Sequence, residues 1–198
     1  MQTDTAAAPA SAITPASAAP TTDADFDAIL ARWIADEAAV RARLGAPGVA
    51  TPSQVAGLSG LELFEAMFAG RVPAPPIGLT LDFIPVEVAF GRAVFQGRPG
   101  LGHYNPLGTV HGGWIATLLD SCVGCAVHST LPVGKAYTTA ELKVNFVRAL
   151  TTKTPLVRAI GTTIHVGGRM ATAEGRLMGS DGKLYAHAST TCFIFDAG

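Results

Sequence analysis

The chain has 198 residues, with 14 Lys and Arg against 15 Asp and Glu, a net charge of -1 and only 15% charged residues. That length is enough for one domain with a sizeable core, and a composition 48% hydrophobic excludes a mostly disordered protein. There is no basic stripe or acidic tail, so the electrostatic case for binding nucleic acid or an anionic membrane is missing.

Ala, Pro, Thr and Ser fill 18 of the first 22 positions, and Met1 and Ile13 are the only large apolar residues among them. This stretch lacks the positive start and continuous apolar run of a signal peptide, so residues 1–22 are expected to form a disordered tail. Residues 25–44 read as an amphipathic helix with Phe26, Ile29, Leu30, Trp33 and Val40 on one side, stopped by Gly45, Pro47 and Gly48. A shorter helix over 58–68 carries Ser59 and Glu62 at capping-box spacing and ends at Gly70. Pro73, Pro75 and Pro76 make a rigid connector, so 23–74 is expected as a helical extension and 75–198 as the main domain.

From residue 79 the pattern has period two, with Val86, Val88, Phe90 and Val94 alternating with Glu87, Ala89, Gly91 and Ala93. A Gly- and Pro-rich loop fills 97–110. Residues 112–130 return to helical spacing, with Ile115, Leu118, Leu119, Cys122 and Ala126 on one face. Four strand-like runs follow. Ala140, Leu142, Val144 and Phe146 share one face in the first; the others cover about 156–166, 169–178 and 183–195, joined by hairpin signals at Gly167-Gly168 and Ser180-Asp181-Gly182. The expected fold class is α+β, an antiparallel meander with one long apolar helix packed on it.

Several functions are argued against. The apolar window from Trp114 to Gly134 holds Thr117, Asp120, Ser121, His128 and Pro132, too polar for a membrane span. Three cysteines argue against a disulfide scaffold and for a reducing cytoplasm. Cys122 and Cys125 are read as core packing, since zinc would need further ligands. The histidines are scattered, so no metal is expected. Ser121 lies outside a nucleophile elbow, and no P-loop or dinucleotide fingerprint occurs.

The chemistry gathers in 99–134, where Asp120 is the only formally charged residue. It falls mid-helix among Gly113, Ala116 and Gly124, small residues that leave room for another molecule. A lone carboxylate in an apolar helix is costly; it either hydrogen-bonds a nearby loop or does chemistry. His111-Gly112-Gly113 precedes the helix, and glycines there leave backbone N–H groups open to an oxyanion. Gly112 and Asp120 are about 12 Å apart along the axis, too far to serve one carbonyl within one chain. A symmetric dimer with two such helices side by side would bring one chain's glycine to the other's aspartate.

The run His103-Tyr-Asn105-Pro-Leu-Gly108-Thr-Val-His111-Gly112-Gly113, followed by Leu118-Leu119-Asp120, resembles the hotdog-fold acyl-CoA thioesterases of the phenylacetic-acid-pathway (PaaI-like) type. Residues 138–148, Gly167-Gly168-Arg169 and 181–186 fit the same pattern, and the likeness covers roughly 75–195. Gly60-Leu61-Glu62 and the Pro73 to Ile77 stretch resemble a helical extension of some bacterial members. The resemblance implies a long central helix wrapped by an antiparallel sheet, and hydrolysis of an acyl-CoA to a carboxylic acid and free CoA. Asp120 would be nucleophile or general base, the Gly112 amide would polarise the carbonyl, and Asn105 would hold the carbonyl or the water. Thr139, rather than Thr138, would stand near that water. His111 more often supports the loop in relatives, with general acid as its other role. Gly113, Arg148, Gly168 and Arg169 would line the CoA. No cofactor beyond the substrate's CoA is implied. A homodimer is the smallest assembly, with tetramer or hexamer open. A non-catalytic acyl-CoA-binding or ligand-sensing hotdog protein is the alternative, against which Asp120 speaks; a hotdog hydratase or dehydratase would pair Asp and His on a differently patterned loop.

Overall fold

The computed structural model describes residues 22–197, so the stretch 1–21 of the expected tail lies outside the described residues. Helix α1 (Asp23–Arg41) starts at Thr22, whose hydroxyl accepts from the Asp25 N–H while the Asp25 carboxylate accepts from the Thr22 N–H, a reciprocal cap. It ends three residues before Leu44. Two short helices follow, α2 (Pro52–Val55) and then α3 (Gly60–Phe68), the latter opened by the Ser59–Glu62 capping box. A further short helix, α4 (Ile77–Leu81), is absent from the sequence-based expectation; it closes at Asp82 in the left-handed region, φ 47°.

Strands β1 (Phe83–Ala89) and β2 (Arg92–Gly97) correct the reading of one continuous strand. Gly91, φ +75°, turns the chain back after Phe90. Its N–H is held by the Ser129 hydroxyl at 2.9 Å and its carbonyl accepts from the Thr163 N–H at 2.9 Å. Helix α5 (Gly112–His128) then crosses the sheet to the far edge, where β3 (Lys135–Phe146) lies. The chain returns through β4 (Val157–Val166), β5 (Met170–Gly179) and β6 (Leu184–Asp196). The six-stranded sheet has the order β1-β2-β4-β5-β6-β3, antiparallel throughout. The meander expectation therefore holds only for β4–β6. Strand β3 pairs with the last strand, because α5 carries the chain across the whole sheet before β3 forms.

Helix α5 buries Trp114, Ile115, Leu118, Leu119, Cys122, Val123, Ala126 and Val127 against one face of the sheet. The seat is close: a methyl group at Gly161 of β4 would overlap the Cys122 carbonyl, and one at Gly175 of β5 would meet Val123 and Cys122. The helix backbone thus rests on the sheet backbone, and neighbouring alanines (Ala93, Ala159, Ala171, Ala173) keep the floor low.

The opposite face of β2 and β4 is covered by α1. Gln96 donates to the Trp33 carbonyl at 3.1 Å and to Glu37 at 2.9 Å, and its own oxygen accepts from Arg158 Nε at 2.8 Å. Arg158 also bonds Asp36 at 2.7 Å, with its guanidinium 4.6 Å from the centre of the Trp33 ring. Burial alone would push the Glu37 carboxyl up, but Arg41, Gln96 and Arg98 outweigh it and hold it below its ordinary 4.5. A second small core joins Phe64, Ala66, Met67 and Val72 of the α3 region to Val88 and Cys125. The Gly60 N–H donates to Leu131 at 2.9 Å, so α3 is tied to the end of α5.

Two outcomes follow. Gly161→Ala should cost at least about 2–3 kcal/mol of unfolding free energy in urea titration, because backbone rather than a flexible side chain must yield. A depressed carboxyl adds stability above its unfolded-state value and loses it as pH falls through the folded one. The stability gap between wild type and Glu37→Gln should therefore be constant above pH 5 and shrink below about 4.5, read by thermal melts across pH.

Candidate active site

Helix α5 and strand β3 run antiparallel, so residues along one meet residues along the other in reverse order. At the start of α5, Gly112 sits against the Phe146 ring at the end of β3. Two turns along, the Thr139 hydroxyl donates to Asp120 Oδ1 at 3.0 Å. Farther still, Gly124 lies against the Tyr137 hydroxyl end.

Thr139 reaches the helix because of a bulge. Thr139 pairs with Cys192 and Glu141 with Thr191, which leaves Ala140 as an extra residue. Strict alternation sets Thr139 opposite Leu142 and Val144; the bulge lets all three face α5, where Leu142 and Val144 pack on the core. The Thr190 hydroxyl, buried, donates to the Glu141 carbonyl at 2.6 Å beside the bulge. Ala140, read from the sequence as sharing a face with Leu142, is the bulged residue instead.

The N-terminus of α5 is built by His111. Its backbone is extended (φ -63°, ψ 136°) and its Nδ1 accepts from the Gly113 N–H at 2.8 Å, so the ring of the neutral imidazole carries its proton on Nε2. Gly113 is thus spent on the cap, whereas the Gly112 N–H has no partner among the described residues. His103 accepts from the His111 N–H at 2.7 Å through its carbonyl and stacks on Trp114 at 5.1 Å. Trp114 is core, its Nε1 donating to Leu81 at 2.7 Å. A cleft of about 370 Å³ opens beside Gly112, lined by Ile115, Phe146, Val147, Arg148 and Leu150.

Asn105 is occupied within its own loop. Its Oδ1 accepts from the N–H groups of Leu107 and Thr109, at 2.9 and 3.3 Å, and its Nδ2 donates to the Thr109 hydroxyl at 2.9 Å. One amide hydrogen of Asn105 remains beyond that bond. The CoA set expected from the sequence divides in two: Arg148 follows the end of β3 near Gly112, while Gly168 and Arg169 turn between β4 and β5, where the Arg169 carbonyl holds Ile194 beside the start of β3. Within one chain, these groups stand at opposite ends of the sheet.

Phe146 and Tyr137 are absent from the sequence-based site set, although both lie on the face of β3 that carries Thr139. Along the groove where α5 meets β3, β3 is on its outer side an edge strand, and α5 leaves Gly113, Ala116, Thr117, Asp120 and Ser121 uncovered or half-covered. Beyond Asp120 the surroundings turn apolar: burial pushes the Cys122 thiol up, the Cys125 thiol up to about 12 and the Tyr137 hydroxyl well up, and it lowers His128. Among the described residues, no three His, Cys, Asp or Glu gather as a metal site, and no helix is long and apolar enough to cross a membrane.

A long helix laid across a six-stranded antiparallel sheet of this order, with a glycine amide and a carboxylate on its open side, is the hotdog fold. Residues 107–186 match the family model of the thioesterase superfamily. The chain thus has the hotdog fold, and the matched stretch, 80 of its 198 residues, is similar to the thioesterase superfamily. Solved structures similar to the chain include phenylacetic acid degradation proteins. A phenylacetic acid degradation-related protein of Ralstonia eutropha JMP134 is 28% identical, with 66% of this chain and 98% of that one covered at a TM-score of 0.61. A mutant of the phenylacetic acid degradation protein PaaI of Thermus thermophilus is 26% identical over 60% of this chain and 97% of that one, at 0.54. The E. coli PaaI protein, 17% identical over 70% and 94% at 0.59, shares the fold. No curated protein matches the chain.

The raised thiols, buried at Cys122 and Cys192 and half-buried at Cys125, carry a direct expectation. At neutral pH a disulfide reagent should leave Cys122, Cys125 and Cys192 unmodified in the folded protein and titrate all three in denaturant. Rapid labelling of Cys122 in native buffer would contradict this.

Proposed function

We propose that the protein is an acyl-CoA thioesterase whose two active sites each form between two copies of the chain. The observation that carries this reading is the Asp120 carboxylate, held by Thr139 at 3.0 Å on the uncovered side of α5. A structural carboxylate would be enclosed; this one is half-exposed beside an open strand edge. The Gly112 N–H stands about 12 Å away along the same helix, so one chain cannot apply both groups to one carbonyl.

An isologous dimer through β3 would bring them together. The unpaired edge of β3 invites a second β3 in antiparallel pairing. A two-fold axis near Leu142 would set one chain's Gly112 and Phe146 beside its partner's Asp120 and Thr139. It would also bring Arg148 of one chain toward Gly168 and Arg169 of the other, reuniting the divided CoA set. The small residues Gly113, Ala116, Thr117 and Ser121 would let the two helices lie close.

The reaction then needs few parts. Water adds to the thioester carbon as Asp120 takes its proton; the carbonyl oxygen becomes an oxyanion facing the Gly112 N–H and the dipole of α5. Collapse restores the carbonyl, breaks the C–S bond and expels the CoA thiolate, which regains a proton. With Asp120 as nucleophile the same groups act, through an acyl–enzyme anhydride that water cleaves. Thr139 fixes one carboxylate oxygen and leaves the other to the water. His111 maintains the helix cap, and the remaining amide hydrogen of Asn105 serves the carbonyl or the water. CoA is substrate, and these steps call on no metal or further cofactor. The free thiols suit a reducing cytoplasm.

Free-thiol release from a panel of acyl-CoAs tests this. Asp120→Asn should lose at least ~10²-fold in rate, with circular dichroism unchanged. If wild type binds acyl-CoA and hydrolyses none, the protein is a binding module instead. Complementation tests the shared site. Gly112→Pro removes the N–H at the first helical position, which tolerates proline, behind a residue already extended as proline requires. Each variant alone should be inactive. Mixed and re-paired, Asp120→Asn and Gly112→Pro should recover about a quarter of wild-type activity, since half the random dimers then hold one intact site of two.

A further inference from the structure

The groove between α5 and β3 does not stop at Asp120. On the helix side Gly124 follows one turn later, about 6 Å along the axis. On the strand side Tyr137 precedes Thr139 by two residues and faces the same way. The two meet: a methyl group at Gly124 would lie 2.8 Å from the Tyr137 oxygen and 3.0 Å from its ring. The Tyr137 ring therefore fills the space that the glycine leaves, and it blocks the groove.

Behind the block lies further room. The Tyr137 ring centre is 5.3 Å from that of His128, which in turn meets the Phe64 ring edge-on at 5.4 Å. His128 lines a cavity of about 470 Å³ between the N-terminal helices and the start of β3, with Val55, Leu58, Leu63, Val133 and Ala136 among its walls. The walls are mainly aliphatic, so the space suits hydrocarbon rather than nucleotide. Tyr137 stands between the Asp120 end of the groove and His128, which is itself part of the lining of this cavity.

We propose that Tyr137 sets the acyl-length limit of the enzyme, ending the acyl groove one helical turn past Asp120, and that the cavity under the N-terminal helices is the continuation it closes off. The inference rests on the thioesterase reading. The distance from Asp120 to Gly124, about 6 Å along the helix, matches an acyl group of about six carbons, or one aromatic ring. Removing the Tyr137 ring joins groove and cavity and admits a chain several carbons longer, each buried methylene adding a severalfold gain in binding.

The test is hydrolysis of saturated acyl-CoAs of graded length by full-length protein. Wild type should fall off beyond about six carbons. Tyr137→Phe, which keeps the ring, should keep that cut-off. Tyr137→Val, suited to a strand, should raise the kcat/KM ratio of dodecanoyl- to hexanoyl-CoA by at least about tenfold. Adding Val55→Trp, which refills the cavity, should cancel that gain. Tyr137→Leu keeps an apolar side chain over Gly124 and replaces the valine variant if circular dichroism finds the latter unfolded. The proposal is overturned if wild type already cleaves dodecanoyl-CoA as well as hexanoyl-CoA, if the shortened variants keep the wild-type cut-off, or if Val55→Trp leaves the gain intact. Wild type inactive on every length would sink the thioesterase reading, and this inference with it; a fully active wild type with an unmoved cut-off sinks the inference alone.

Discussion

The structure depends on one contact between backbones: α5 lies on β4 with nothing between them at Gly161, while at Gly175 of β5 the Val123 and Cys122 side chains take up the space the glycine leaves. Interiors are close-packed and do not absorb an extra methyl group freely. The height of α5 above the sheet is therefore set by missing side chains, not by large ones. That height places the far flank of the helix level with β3, so that a short side chain such as Thr139 spans to Asp120. A higher helix would need a longer donor, and the groove beyond it would no longer be closed by one tyrosine.

The long elements were legible because their periodicity was undisturbed. Helix α5 shows its buried face at 115, 118, 119, 122 and 126, all fully or almost fully covered. The three strands β4 to β6 follow from alternation and short turns. Sequence could not supply the place of β3, because pairing with β6 is a contact across 40 residues and more and leaves no local trace. The Phe90-Gly91 turn was hidden by an aromatic residue at a hairpin tip, where alternation simply runs on; Phe90 is 72% exposed. Helix α4 spans only five residues next to prolines, too few to show a period.

The candidate site divides along the same line. Asp120 and Gly112 stood out through charge and helix-end chemistry, which are local properties. The occupation of Asn105 by Thr109 and the separation of Arg148 from Arg169 are matters of three-dimensional arrangement. The N-terminal helices, legible in sequence by periodicity and capping but not in where they dock, prove attached by specific means. The Gln96 carboxamide ties Trp33 and Glu37 of α1 to Arg158 of β4, and α3 is fixed through Gly60 and Phe64 to the end of α5. Buried polar groups of this kind are costly unless all are paired, and none among the described residues lacks a partner.

The bulge at Ala140 makes β3 two half-strands in opposite phase. Before it, odd positions (Tyr137, Thr139) face the helix; after it, even positions (Leu142, Val144, Phe146) do. A replacement at Ala140, which is exposed, leaves both phases intact. A deletion there does not: with the bulge lost, one half must turn over, exposing either the donor to Asp120 or the apolar residues that cover the helix start. This strand thus tolerates change of residue far better than change of length.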